Sequence, residues 1–149
     1  MSGFFGESDY SVDAKGRVNI SAKFRKALSP EAEETFYIER GFDKCLRAFP
    51  KDIWDRRMAK LSALPKTPQN VKHMRILSST ATISTLDAQG RVTLTPALMK
   101  YADITKDVKI LGMGDSIEFW EPSRCMAEID SEQDFDAVLY EIESDLDKL

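Results

Sequence analysis

The chain has 149 residues, 42% of them hydrophobic, and a formal net charge of −4 at pH 7. A chain of this length buries one good core or two small coupled cores, but not two large independent domains. It contains no run of eighteen apolar residues, and its first residues lack the basic start and the apolar stretch of a signal peptide, so we expect a cytoplasmic protein with no membrane partner.

The negative total argues against a nucleic-acid partner, but the charges are unevenly distributed along the chain. Residues 128–149 hold nine acidic side chains against one lysine, a net −8, which leaves +4 for residues 1–127. Opposite charges more than a Debye length of about 8 Å apart hardly cancel, so a positive surface is compatible with this total. The most basic stretch contains no acid, and its bases are Lys15, Arg17, Lys23, Arg25 and Lys26.

Residues 10–20 predict a β-hairpin, because apolar and polar residues alternate on both sides of a glycine-containing turn. If residues 14–16 form a three-residue loop with Gly16 in the left-handed conformation, one face of the hairpin is apolar and the other polar. The predicted cross-strand pairs are Asp13 with Arg17, Val12 with Val18, Ser11 with Asn19, and Tyr10 with Ile20.

A helix, a second hairpin and a helical insert follow in the sequence. Ser21 is placed to cap a helix over residues 22–28. Residues 36–40 and 45–49 predict two strands joined by a turn that contains glycine and aspartate. The insert is predicted as two amphipathic helices, one over residues 50–64 and one that begins at Thr67 and Pro68.

The chain then repeats its first unit. Residues 85–100 match residues 11–26 at a shift of 74, with six of sixteen positions identical. In this second copy Asp87 is predicted opposite Arg91 and Thr85 opposite Thr93, and Gly90 takes the turn position. A helix start at Thr95 and Pro96 and strands over residues 108–111 and 117–120 complete the unit.

A unit of about 45 residues is near the lower limit for independent folding. We therefore expect the two copies to complete one core together, as a dimer within one chain. The acidic end of the chain carries an apolar stripe at helical spacing, which needs a surface to pack on: Phe135, Val138, Leu139, Ile142, Leu146 and Leu149. The expected divisions are residues 7–53, the first repeat; 54–81, the insert; 82–126, the second repeat; and 127–149, the acidic helical segment.

The motif Asp-x-Lys-Gly-Arg at residues 13–17, followed by Ala-Lys-Phe-Arg at residues 22–25, resembles the first half of MraZ proteins, and Asp-x-x-Gly-Arg at residues 87–91 is similar to their second half. The resemblance implies an α+β, mostly β protein with two tandem SpoVT/AbrB-type domains in a swapped-hairpin β-barrel. It also implies a homo-oligomeric ring, an octamer or larger, that is nucleoid-associated. Such a protein binds short direct repeats of double-stranded DNA upstream of its own operon and regulates the division and cell-wall gene cluster.

The resemblance also assigns roles to single residues. Gln89 and Met99 stand where the first copy has Lys15 and Arg25, so we expect the first loop to make most of the DNA contact. The residues implied to shape the loops are Asp13, Gly16, Asp87 and Gly90. The residues implied to contact DNA are Lys15 and Arg17, and Arg91 is expected either to contact DNA or to have a structural role. We also select Lys23, Arg25 and Lys26 as candidate DNA contacts, with the alternative that they form only a charged face of the helix.

No catalytic set can be assembled from the sequence. His73 is the single histidine, and Cys45 and Cys125 have no further cysteine or histidine at metal-ligand spacing, so we interpret both as buried free thiols. We expect no enzyme, no metal, no cofactor and no small-molecule substrate. Two alternatives stay open: a ring-forming structural or interaction module without DNA binding, and an antitoxin-like regulator.

Overall fold

The computed structural model describes residues 3–130 and 135–149. The first copy and the insert run in the order β1 (Glu7–Ser11), β2 (Arg17–Asn19), α1 (Ala22–Lys26), β3 (Thr35–Arg40), β4 (Leu46–Pro50), α2 (Lys51–Ser62) and α3 (Pro68–Thr80). The second copy and the chain end follow as β5 (Thr82–Thr85), β6 (Arg91–Thr93), α4 (Pro96–Tyr101), β7 (Asp107–Gly112), β8 (Ile117–Trp120), α5 (Pro122–Ile129) and α6 (Phe135–Leu146).

The helix starts expected from the sequence are confirmed by their caps. The hydroxyl of Ser21 accepts a hydrogen bond from the backbone N–H of Phe24 at 3.2 Å, at the start of α1. Thr67 and Thr95 cap α3 and α4 in the same way, each directly before a proline at the first helical position. The ends are less well predicted, since α1 stops at Lys26 and α2 at Ser62.

Six strands form one antiparallel sheet in the order β1-β7-β8-β4-β3-β5, and β2 and β6 form a separate two-stranded ribbon. Strand β1 of the first copy pairs with β7 of the second, and β5 of the second copy pairs with β3 of the first. The first strand of each copy is therefore exchanged into the other copy. The pairing β4–β8 joins the two halves at their centre.

The predicted register of both hairpins is wrong beyond the pair that closes each loop. The backbone N–H of Asp13 does donate to the carbonyl of Arg17 at 3.0 Å. After that the strands separate: Ser11 pairs with Asp107 and Tyr10 with Val108, while Val18 pairs with Val92. In the second copy Thr85 likewise pairs with Thr35 and not with Thr93.

The alternation of apolar residues survives this exchange, which explains the error. Val12 and Val18 are both buried, as predicted, although Val12 directly follows β1 of the large sheet and Val18 lies on β2 of the ribbon. Alternation determines which face of a strand is buried, but either of two antiparallel neighbours satisfies it.

One core is shared by both copies, as expected for a dimer within one chain. Phe24 and Leu98 come from equivalent helices, and Ile38 and Ile110 come from equivalent strands of the sheet. All four are at most 2% exposed. A smaller apolar cluster packs the insert against the sheet through Phe49, Trp54 and Leu77. The α+β, mostly β class with two tandem units is thus confirmed.

Within residues 3–130 and 135–149, the helices are all too short or too polar to span a bilayer. The expected divisions after residues 53 and 126 fall inside α2 and α5. The full extent of the acidic segment, residues 127–149, includes residues 131–134, which lie outside the described residues.

Candidate nucleic-acid interface

The first loop is built around the carboxylate of Asp13. Its Oδ1 accepts hydrogen bonds from the backbone N–H groups of Lys15 and Arg17 at 2.9 and 2.8 Å. Its Oδ2 accepts from Nε of Arg17 at 2.6 Å. Gly16 closes the turn through its N–H to the carbonyl of Asp13, with a φ of 80°. The carboxylate thereby sets both the shape of the loop and the direction of the arginine.

The second loop repeats this arrangement. Oδ1 of Asp87 accepts from the backbone N–H groups of Gln89 and Arg91 at 2.9 and 3.0 Å, and its Oδ2 accepts from Nε of Arg91 at 2.8 Å. Gly90 has a φ of 75°. Two copies of one sequence motif therefore produce two loops of the same construction.

These hydrogen bonds favour the charged form of both carboxylates. The backbone N–H of Arg17 is the strongest influence on Asp13, and with the Arg17 side chain it lowers the pKa despite partial desolvation. At Asp87 partial desolvation is the largest single influence and opposes the shift. The backbone and side chain of Arg91 together outweigh it, so the pKa of Asp87 is also lowered. Both loops thus hold a carboxylate–guanidinium pair at neutral pH.

The ribbon β2–β6 brings the two loops together. The carbonyl of each loop glycine accepts a hydrogen bond from the opposite copy: Gly16 from the N–H of Leu94 at 2.7 Å, and Gly90 from the N–H of Ile20 at 2.9 Å. An ideal Cβ on Gly16 would lie 2.3 Å from the carbonyl oxygen of Leu94. The strand of one copy therefore passes the loop of the other too closely for any side chain at this position.

One face of this ribbon is exposed and polar. Val18 and Val92 face each other in the buried core, each 1% exposed. Their strand neighbours project to the opposite side, with Arg17 paired to Thr93 and Asn19 paired to Arg91. The outer face thus presents an arginine at each diagonal corner, and the side chains of Arg17 and Arg91 are 34% and 22% exposed.

The guanidinium of Arg17 is held in one orientation by a hydrogen bond at its Nε edge. Asp13 binds that edge, and among residues 3–130 and 135–149 no further hydrogen bond or ion pair engages Nη1 or Nη2 of Arg17. These two nitrogens carry the donor geometry that matches a phosphate or a guanine edge.

The other bases expected to contact DNA lie around this face. Lys15 is exposed at the tip of the first loop, and Lys23 and Lys26 are exposed on α1. Arg25 has a different position, because its Nε donates to the carbonyl of Ile20 at 3.1 Å and its side chain lies directly over Gly90. Arg25 of the first copy therefore supports the loop of the second.

Helix α4 of the second copy likewise lies beside the loop of the first copy. Met99, which stands where the first copy has Arg25, borders the same shallow groove as Asp13, Lys15 and Gly16. The missing positive charge at residue 99 is therefore missing beside the first loop and not beside the second.

Asn19 and Thr93 belong to the exposed ribbon face but were not among the residues selected from the sequence. The alternation around Val18 and Val92 was the signal that could have identified them, since it places both opposite the core. The approach of Asp13 to Arg91, 3.7 Å from Oδ2 to Nη1, had no such signal because it depends on the exchange between copies.

The remaining chemical groups of the described chain lie elsewhere. Cys45 and Cys125 are free and buried, as interpreted from the sequence, and burial raises the pKa of both thiols. His73 lies on the insert beside Leu77, away from the ribbon. Residues 3–130 and 135–149 contain no group of three or more histidine, cysteine, aspartate or glutamate side chains that could hold a metal ion.

A comparison with protein families gives one match that covers both copies. The family model described as "MraZ protein, putative antitoxin-like" matches residues 4–73 and 77–138. The two matched stretches contain the first and the second loop, respectively, and together they span most of the chain.

Proposed function

The chain belongs to the MraZ family, and we propose that it is a DNA-binding transcriptional regulator that binds short direct repeats through the exposed face of β2–β6. The family is regulatory and not enzymatic in type. The proposed targets are repeats upstream of the protein's own operon, in the division and cell-wall gene cluster. Binding by a ring of subunits and association with the nucleoid are parts of the same proposal.

The observation that carries the proposal is the joining of two arginine-bearing loops on one polar ribbon face. A two-stranded antiparallel ribbon fits the major groove of B-DNA, which is about 12 Å wide. Arg17 and Arg91 lie on opposite strands of this ribbon, each with its Nε bound by an aspartate of its own loop. Their orientation is therefore set before DNA arrives, which lowers the entropy lost on binding.

Both loops take part in the proposed contact, and the first contributes more. Lys15 adds a charge at its tip, where the second loop has the neutral Gln89. Lys23 and Lys26 extend the positive surface to phosphates beside the groove, while Arg25 acts mainly by supporting the second loop. Asn19 and Thr93 are the uncharged side chains available between the arginines.

Gel-shift titrations with the upstream DNA test the proposal. Loss of a well-placed arginine contact costs about 1–3 kcal/mol of binding free energy, so Arg17→Ala is expected to weaken binding about 5- to 150-fold, with a smaller loss for Arg91→Ala. Arg56→Ala is the matched control, because Arg56 is 66% exposed on α2, away from the ribbon. Equal affinity of all three variants and the wild type would exclude the ribbon as the binding surface.

A second candidate is a ring-forming module that does not bind DNA, and the net charge of −4 favours it. The two candidates differ in their response to salt. Phosphate contacts make the logarithm of the binding constant fall with the logarithm of salt concentration by about 0.9 per contact. A protein that associates with itself but shows no such salt-dependent DNA affinity would be the second candidate.

A further inference from the structure

The C-terminal helix α6 exposes most of its apolar stripe, and only Val138 is half-buried. Phe135 is 71% exposed, and Leu139, Ile142 and Leu146 are 42%, 50% and 53% exposed. A row of four apolar residues on one side of a helix is energetically unfavourable in water unless another surface covers it. Within the described chain, α6 therefore lies with this face unburied.

The same helix is strongly acidic at the edges of the stripe. At 3.6 residues per turn, Glu143 and Asp145 flank the apolar row on its two sides. Asp145 has Lys148 beside it at 3.6 Å, in a pair that is more than 60% exposed on both sides. Residues 135–149 carry five acids and one lysine, a net −4.

The helical insert, α2 and α3, has a composition that complements α6, because it combines apolar grooves with basic side chains. An apolar groove runs between α2 and α3, lined by Leu61, Leu64, Val71 and Met74, with a volume of about 370 Å³. Leu64 at its floor is 48% exposed. A second apolar groove, bordered by Trp54, Met58 and Leu77, shares Leu61 and Leu64 with the first.

The rims of these grooves are basic. Lys66 and Arg75 border the first groove and Lys60 borders the second, and within residues 3–130 and 135–149 none of these side chains has an ion pair within 4 Å. Residues 51–80 carry seven Lys and Arg against two Asp, a net +5.

We propose that α6 of one chain docks into the α2–α3 groove of a second copy of this chain, with its apolar stripe on the apolar lining of the groove and its acidic edges against Lys66 and Arg75. The occupant is a second copy because the described chain leaves its own groove and most of its own stripe exposed, and because the two surfaces are complementary in charge and polarity.

The geometry of this contact determines the kind of assembly. Helix and groove are different surfaces of one chain, so every copy offers both a free α6 and a free groove. Such a contact is head-to-tail, and it closes into a ring when the rotation between neighbours divides a full turn. The inference thereby deepens the ring in the proposed function by giving it an interface, but it does not require DNA binding.

Charge reversal in full-length protein tests the interface. The helix variant carries Glu143→Lys and Asp145→Lys, and the groove variant carries Lys66→Glu and Arg75→Glu. Both are expected to lose assembly, with the mass from light scattering falling toward the 16.9 kDa of one chain. All four side chains are exposed, so circular dichroism should show unchanged folding. Lys72→Glu and Asp147→Lys are the matched controls, since Lys72 borders neither groove and Asp147 is turned further from the stripe.

Mixing the two reversed variants is the decisive step. A basic α6 then meets an acidic groove in every second contact, and an acidic α6 meets a basic groove in the others, so assembly should return in the mixture. Wild-type protein that is monomeric, reversed variants that assemble like the wild type, or a mixture that stays dissociated would each overturn the proposal. If assembly returned only when all four substitutions were placed in one chain, α6 would be covering the groove of its own chain.

DNA binding by the same variants separates this inference from the proposed function. The reversed variants should keep their affinity for a single repeat, because the ribbon is untouched, and lose the extra affinity for several repeats. Assembly that behaves as described in a protein that never binds DNA would refute the proposed function alone. Normal DNA binding by a protein whose assembly ignores the substitutions would refute the interface alone.

Discussion

Oδ2 of Asp13 lies 3.7 Å from Nη1 of Arg91, so the carboxylate that orients the arginine of one copy also approaches the arginine of the other. Among residues 3–130 and 135–149, Asp87 has no equivalent second ion pair, and its ion pair is with Arg91 of its own loop. The two aspartates have the same sequence context and make the same contacts within their own loops, but only Asp13 also approaches an arginine across the ribbon.

Replacement of the two aspartates should therefore have unequal effects. Asp13→Ala frees Arg17 and removes the contact to Arg91, whereas Asp87→Ala affects Arg91 only. We expect the loss of operator affinity to be several-fold larger for Asp13→Ala, because a freed arginine must be ordered again on binding. Fluorescence anisotropy with one labelled repeat measures this difference. Identical losses would mean that the contact across the ribbon has no influence on binding.

The lowered pKa values of Asp13 and Asp87 predict a loss of stability in acid. A carboxyl group whose pKa is lower in the folded state stabilises the fold fully above its unfolded pKa of about 3.9, and this contribution is lost as pH falls through the folded pKa. The double variant Asp13→Asn, Asp87→Asn should lack this part of the pH dependence. Unfolding by urea between about pH 5 and pH 2 measures it, and parallel curves for the two proteins would contradict the prediction.

Gly16 and Gly114 form a natural matched pair for the close approach within the ribbon. Both have left-handed backbones, with φ of 80° and 84°, but a Cβ at Gly114 would meet no atom within 4 Å. Gly114→Ala should cost about 1–2 kcal/mol for the backbone conformation alone. Gly16→Ala should cost about 3 kcal/mol or more, because the new methyl group also displaces the carbonyl oxygen of Leu94, whose N–H donates to the carbonyl of Gly16. Chemical denaturation compares the two, and equal costs would refute the close contact.

The exchange of strands predicts that neither half of the chain folds alone. A fragment of residues 1–66 lacks β7 and β5, the partners of β1 and β3, and the fragment 67–149 lacks β1 and β3 in turn. Each should show poor amide dispersion and no cooperative melt, and a mixture of the two should recover both. Independent folding of either fragment as a monomer would contradict the shared core.

The loops could be predicted from the sequence because their chemistry is local. Asp13, Gly16 and Arg17 lie within five residues, and the carboxylate, the left-handed glycine and the arginine determine one another's geometry without help from the rest of the chain. The helix starts were predictable for the same reason, since Ser21, Thr67 and Thr95 bond to N–H groups three residues ahead.

The partners of the strands and the neighbours of the loops could not be predicted, because they depend on contacts between copies. Pairing β1 with β2 or with β7 buries the same faces, so alternation cannot distinguish the two arrangements. The same limit applies to Arg25 and Met99, whose place in the sequence assigned them to the DNA contact of their own copies. In the structure each borders the loop of the other copy.

Assembly predicts how affinity should depend on the arrangement of repeats in DNA. One subunit offers only a few base and phosphate contacts through Arg17, Arg91 and Lys15, so a single repeat should bind weakly and with a shallow salt dependence. When neighbouring subunits of a ring hold consecutive direct repeats, each later contact is intramolecular, which can raise the overall affinity about 10²- to 10⁴-fold. Two or three repeats at their natural spacing should therefore bind far more tightly than one.

A shift of one repeat by half a helical turn, about 5 base pairs, should remove the gain, because the shifted site then faces away from the ring. Gel-shift titrations across such a spacing series measure this directly. If one and three repeats bound equally, or if the half-turn shift made no difference, each subunit would be binding on its own and the ring would have no part in selecting the operator.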